Sequence, residues 1–381
     1  MLDTELASAY LAEVAPSVSP KVSKPSARTL ADLLRSQLVT LRSCHAAVLQ
    51  TDAVDAIHKM RVTTRRLQAS LDLLEAGPMA VDVKRIKRRL RKCRRMLSEV
   101  RNYDVFLALI DKEASSRPPL QRQQFELLHA ILQKRRSNRA TAIRKGLNRL
   151  DVDAVATRLG ITLPLIKDSN AAEVVPEIES TADDHFEADE SEHSSNGSDP
   201  GKERSKDKAR PVIDERAVAG RTAGLLEQRL AEFQLLASQS LPTDNPIELH
   251  QLRIAAKRLR YLMEITSELG YGSATAALVY LRSLQDRIGD WHDLEALEGE
   301  IVGIVTRPTF LRKNLAESSI MLKAAAHLQK RKLTLVSRLF PVRIPRTVTS
   351  TSERLAKSLR RPRSLQEIDS SSEIRHQRSE V

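Results

Sequence analysis

Ile57–Leu67 reads IHKMRVTTRRL, and Leu249–Arg260 reads LHQLRIAAKRLR. His58 stands against His250, Arg61 against Arg253, Arg65 against Lys257, Arg66 against Arg258 and Leu67 against Leu259, without a gap. The offset is a constant 192 residues; solenoid repeats recur about every 20 to 50 residues, so the spacing indicates two homologous halves instead. On a helix, positions i, i+3 and i+7 share a face. His58, Arg61 and Arg65 therefore project together, as do His250, Arg253 and Lys257; Arg260 extends the second row by a turn, where the first has Gln68. Met60, Leu67, Leu71 and Leu74, or Leu252, Leu259, Leu262 and Met263, fall on the other side. Each motif helix is expected to carry one apolar and one cationic side. A lone cationic side is ordinarily just solvated, but two matched copies headed by histidine point to a function.

The 381 residues suffice for two domains or one large one. Aromatics are 3% of the chain and glycines number only 12, so an aliphatic core and long 3.6-period patterns predict an all-α protein. Cys44 and Cys93 lack metal-ligand spacing and give no disulfide framework; Cys93 reads as a small core residue. No apolar run approaches the roughly 18 residues of a membrane span. Asp3, Glu5 and Glu13 do not resemble the basic start of a signal peptide, so a cytoplasmic protein is expected. Net charge is +13, yet Asp168–Asp199 holds eleven acids and no Lys or Arg; setting that segment aside leaves +24. Such a body attracts polyanions: nucleic acid, anionic membrane or phosphate polymers.

In order, residues 1–25 read as a flexible leader and 26–160 as a first helical half. Ser26 is the expected cap of a helix reaching about Gln50, and Asp52 that of the motif helix, which stops near Gly77-Pro78. Lys84–Arg95, KRIKRRLRKCRR, has nine cations in twelve residues, but Ile86, Leu90, Cys93 and Leu97 give it a packing face. Lys84, Arg88, Arg91 and Arg95 line another. A helix break is expected at Arg101–Val105, where Asp104 would cap the next helix. A long helix follows Pro118-Pro119 and contains LQKRR, and a short one ends at Gly160. Residues 161–211 read as an acidic disordered linker. Residues 212–340 repeat the first half, with Asp293 in the place of Asp104 and LQKRK, Leu328–Lys332, echoing LQKRR; 341–381 read as a mobile tail.

The paired HxxRVxxRRL and LHxxRIAAKRLRY signatures, with Arg101–Val105 and Leu284–Leu294, resemble the CHAD domain, the conserved histidine α-helical domain. The resemblance covers about Ser26 to Leu339 apart from the insert. It implies two four-helix bundles related by a pseudo-twofold axis around a basic groove. It also implies binding of inorganic polyphosphate and localisation to polyphosphate granules. The residues expected to hold the polymer are His58, Arg61, Arg65, Arg66, Lys84, Arg88, Arg91, Arg95, His250, Arg253, Lys257, Arg258 and Arg260.

The residue chemistry agrees with that expectation. Polyphosphate offers charge and no bases, so its binder needs spaced Arg and Lys but no stacking platform. Nucleic acid, held by nonspecific charge, is the rival partner, yet the basic helices lack the aromatics that single-strand binders use. A metal-dependent polyphosphate or triphosphate hydrolase is the third reading; it needs carboxylates for Mg²⁺, and a histidine metal site would sit among repelling cations. A binding protein without catalytic residues, metal or cofactor is the expectation.

Overall fold

The computed structural model describes residues 28–51, 53–75, 79–115, 119–164, 213–239, 246–339 and 342–361. These residues are helical, with no strand among them. In the first half α1 is Leu30–Gln50, α2 Val54–Asp72, α3 Ala80–Ser115, α4 Pro119–Leu147 and α5 Val152–Arg158. In the second, α6 is Glu215–Gln239, α7 Pro246–Glu268, α8 Thr275–Val305, α9 Pro308–Lys313, α10 Leu315–Leu339 and α11 Arg346–Arg360. None of the described helices is long and apolar enough to cross a membrane. The leader and residues 165–211 of the expected acidic linker lie outside the described residues; residues 161–164 are described, and Ile161 is buried in the core rather than part of a disordered linker.

Local chemistry sets the ends, not always at the expected residues. Ser26 is outside the described residues, and α1 is capped by Thr29. Its hydroxyl accepts from Asp32 N at 3.1 Å while the Asp32 carboxylate accepts from Thr29 N at 3.4 Å, a reciprocal capping box. Asp52 is likewise undescribed; the N-cap position of α2 is Ala53, which makes no side-chain cap bond. Asp214 caps α6 through the amides of Arg216 and Ala217, at 3.0 and 3.2 Å. Gly160 and Gly270 follow α5 and α7 with φ of 67° and 83°, left-handed values that suit glycine.

Chain neighbours pack as antiparallel hairpins: α1 on α2, α2 on α3, α3 on α4, and α6 on α7, α7 on α8, α8 on α10. Across the halves, α2 touches α7, α3 touches α8 and α4 touches α10. Every one of these contacts joins a helix to its repeat counterpart. Two apolar clusters result. The larger draws on both halves, from Leu34, Leu71 and Leu97 to Leu226, Leu259 and Leu284. The smaller gathers Phe106, Ile110 and Leu132 of α3 and α4 with Leu294, Ile301 and Leu328 of α8 and α10. Cys93 lies in the larger cluster, where burial pushes its thiol up to about 12.

Two expectations are corrected. Asp104 and Asp293 do not cap helices; each sits inside one unbroken helix, of 36 residues for α3 and 31 for α8. Asn102 and Gly289 weaken local helix preference, but packing along both helices outweighs that deficit. Nor is the chain after Pro341 a mobile tail throughout: α11 lays Val348, Leu355, Ala356 and Leu359, all at most 3% exposed, against α6, α7 and α8.

Candidate functional site

The motif helices α2 and α7 lie at the centre, and their cationic sides face protein. Arg61 is 0% exposed, Arg65 4%, Arg253 1%, Lys257 3% and Arg260 5%. The apolar sides are buried too, with Met60, Leu67, Leu252 and Leu259 at 0%. The expected contrast between an oily and a wetted side is therefore absent along the rows, although Lys59 of α2 and Gln251 of α7 remain exposed on the outer side of each helix. His58 and His250, at the heads of the rows, are half-buried.

Where the cations go follows from the gap between the two apolar clusters. Along α3 the larger cluster ends at Val100 and the smaller begins at Phe106; along α8 the change falls between Trp291 and Leu294. On α4 it falls between Leu132 and Ala140, and on α10 between Leu328 and Val336. Polar and charged residues stand in those gaps, among them Arg101 and Asp104, His292 and Asp293, Arg135 and Arg136, Arg331 and Lys332. A polar layer thus crosses the molecule between two oily ones.

The motif rows enter this layer from α2 and α7. Arg61 bonds Ser98 on α3. Asp104 accepts from Arg136 Nε at 2.5 Å. Burial pushes the Asp104 carboxyl above its ordinary range, against the pull of Arg136, Arg101 and Arg61. The His250 ring lies 5.6 Å from that of His292, which stacks in turn on Trp291 at 6.3 Å. Trp291 is 0% exposed, and its indole Nε1 has no acceptor among the described residues.

The other expected residues separate into two groups. Arg66 and Arg260 meet at Glu264 on α7, at 3.8 and 3.4 Å, with Arg282 joining at 3.4 Å. Arg258 points away, to Glu232 of α6 at 3.2 Å. Lys84, Arg88 and Arg95 are exposed and Arg91 half-exposed on the outside of α3, remote in kind from the buried rows. The structure does not bring the α3 cations together with the motif rows.

The LQKRR and LQKRK arginines, Arg135, Arg136 and Arg331, are not among the expected site residues, yet they stand in the polar layer. Their recurrence was the available signal. Arg135 bonds Glu300 on α8, and Arg331 bonds Glu113 on α3, each reaching into the other half. Lys332 is held by Glu295 and Glu298. Among the described residues no group of three or more His, Cys, Asp and Glu side chains is placed to hold a metal ion.

The family model of the CHAD domain matches residues 32–301. Among solved structures, the crystal structure of the CHAD domain from the plant Ricinus communis matches with a TM-score of 0.52 at 18% identity, covering 87% of this chain and 99% of that one. PptA from Streptomyces chartreusis matches with a TM-score of 0.46 at 14% identity, over 88% of this chain and 100% of that one. No curated protein matches.

Proposed function

The chain belongs to the CHAD domain family, and from that premise we propose that it binds inorganic polyphosphate without turning it over, through the cations of the duplicated rows. The observation that carries the reading is the burial of Arg61, Arg65, Arg253, Lys257 and Arg260 in two matched copies. Desolvating a cation is costly, and well-packed apolar residues of similar volume often serve stability as well or better. Arg260 is met by Glu264, and the remaining four recur at matched positions in both halves, which favours a shared ligand over four separate packing roles. A linear phosphate chain is the ligand that matches them: it supplies repeated oxygens for guanidinium forks and an acceptor for the buried Trp291 N–H.

Counterpart helices pair across the halves as a twofold relation between two four-helix bundles would require. The polymer then lies along the pseudo-twofold seam between α2 and α7. The rows are closed to solvent as described, so entry requires those helices to part locally. The polar layer supplies the place where parting exposes charge rather than oil. Recruitment to polyphosphate granules is the cellular consequence.

Arg65→Met and Arg253→Met test this. Both keep side-chain volume while removing charge. Circular dichroism should show both variants folded, while affinity for long-chain polyphosphate should fall about 10- to 100-fold per site, the loss of a charged hydrogen bond of roughly 1.5–3 kcal/mol. Unchanged affinity with a lowered melting temperature would show the cations to be structural only.

A further inference from the structure

The second cationic system, on the outside of α3, has no counterpart in the other half. Lys84, Arg85, Arg88, Arg89, Lys92 and Arg95 are all exposed. No carboxylate occurs between Asp82 and Glu99. Aligning the halves on Asp104 and Asp293 sets this stretch against Ser273–Leu284, SATAALVYLRSL, where the single cation is Arg282. Arg282 is committed to Glu264. The duplicated rows and this face therefore differ in symmetry as well as in exposure.

The face is rigid and well placed for a ligand from solvent. Val83, Ile86, Leu90, Cys93 and Leu97, at most 2% exposed, pin the opposite side of α3 to the core, so the cations cannot rotate inward. Successive positions four apart stand about 6 Å apart along the axis, giving a row rather than a point. Lys87 is diverted to Asp72 and Glu75 at 2.6 and 2.8 Å, and Arg94 to Gln68 at 2.9 Å. At its C-terminal end α4 returns alongside, with Gly146 against Met96, and adds the exposed Lys145, with exposed Arg149 in the turn just beyond it. The buried stripe of α3 lies between this face and α2. A chain held outside is thus separated from the motif rows by a packed helix.

We propose that the outer face of α3 is a second, independent docking surface for a polyphosphate chain, so that one molecule bridges two chains or two segments of one. This rests on the polyphosphate reading above. A row of guanidinium and ammonium groups without aromatics reads charge repeated along a thread and offers no platform for bases. Bridging follows because the two surfaces face different directions and bind the same polymer.

The test compares the parent with the quadruple variant Lys84→Gln, Arg88→Gln, Arg89→Gln and Lys92→Gln. All four positions are exposed and glutamine keeps helix preference, so folding should persist, as circular dichroism will show. Binding of a short polyphosphate, too short to span both surfaces, is titrated by calorimetry; light scattering is followed with long polyphosphate. The parent should take two short chains, and long chains should scatter light with a maximum at intermediate protein-to-polymer ratio. The variant should take one short chain and scatter at baseline. Unchanged stoichiometry and scattering would overturn the second surface alone. Loss of all binding in the folded variant would overturn its independence by making it the sole site. A parent that binds no polyphosphate would refute the underlying reading. Selective loss of duplex DNA binding, with polyphosphate binding intact, would assign the face to nucleic acid and also overturn the proposal.

Discussion

Arg331 of α10 bonds Glu113 of α3, so a cation of the second half closes on a buried carboxylate of the first. Its counterpart in LQKRR, Arg135 of α4, makes the converse bond to Glu300 of α8. His327 also approaches Glu113, at 3.3 Å, and Tyr103 donates to Glu300 at 3.3 Å. Two equivalent arginines reaching in opposite directions fix the register of the halves more tightly than either alone.

Removing this tie should loosen the halves measurably. In a double-mutant cycle of Arg331→Met and Glu113→Gln, we expect a coupling of about 1–2 kcal/mol in urea denaturation, the lower end for charged hydrogen bonds because Arg331 is a third exposed. Additive single effects would show that the bond contributes nothing to stability.

Lys332 offers a pH signature. Burial, the largest single influence, lowers its pKa, but Glu295 and Glu298 together raise it above the ordinary 10.5. A folded value above the unfolded one means the stabilising contribution is complete below about 10.5 and is lost as pH rises through the folded value. Lys332→Met should cost about 1–3 kcal/mol at neutral pH, discounted from a fully buried pair because both carboxylates are partly exposed. The difference between variant and parent should stay flat to about pH 9 and shrink in stronger alkali. A difference that widens with pH would contradict this.

The helix α11 should carry part of the second half's stability. Leu355 is 0% exposed, and Leu355→Ala should cost about 2–5 kcal/mol by thermal or urea unfolding. Gly272, with φ of 135°, has Leu355 Cδ2 3.3 Å from the position a Cβ would take, so Gly272→Ala should destabilise as well. A cost below about 0.5 kcal/mol for Leu355→Ala, the level of surface substitutions, would mean that α11 is dispensable.

The acidic insert should compete electrostatically with the ligand. Asp168–Asp199 carries eleven negative charges on the same chain as a body of +24. Replacing it with a neutral Gly/Ser linker of equal length should tighten polyphosphate binding at low salt and converge with the parent at high salt. Identical salt curves for the two proteins would leave it only a linker.

The helices built on plain apolar periodicity were legible in the sequence, as was the family from its two motif copies. Burial of the cations was not, because spacing of i, i+3 and i+7 is the same whether a face meets water or protein. A hint lay between them: Thr63-Thr64 and Ala255-Ala256 are small in both copies and at most 3% exposed, as close helix contact requires. The unbroken courses of α3 and α8 were hidden by Asn102 and Gly289, local breakers that long-range packing overrides. In α11 the apolar residues Val348, Leu355 and Leu359 keep helical spacing, but the surrounding Ser and Thr, including the buried Thr351 and Ser352, mask it.

The seating of α11 on α6 also has a consequence for biosynthesis. Gln239 ends α6 and Arg346 begins α11, so at about 5–20 residues per second a ribosome needs roughly 5–20 s to make the intervening chain. Throughout that interval the side of α6 destined for α11 has no cover, and it belongs to a helix rich in residues that end up buried, among them Val218, Leu226 and Phe233. The nascent second half is therefore adhesive until α11 emerges, and a chain interrupted late in translation is a natural client for a chaperone.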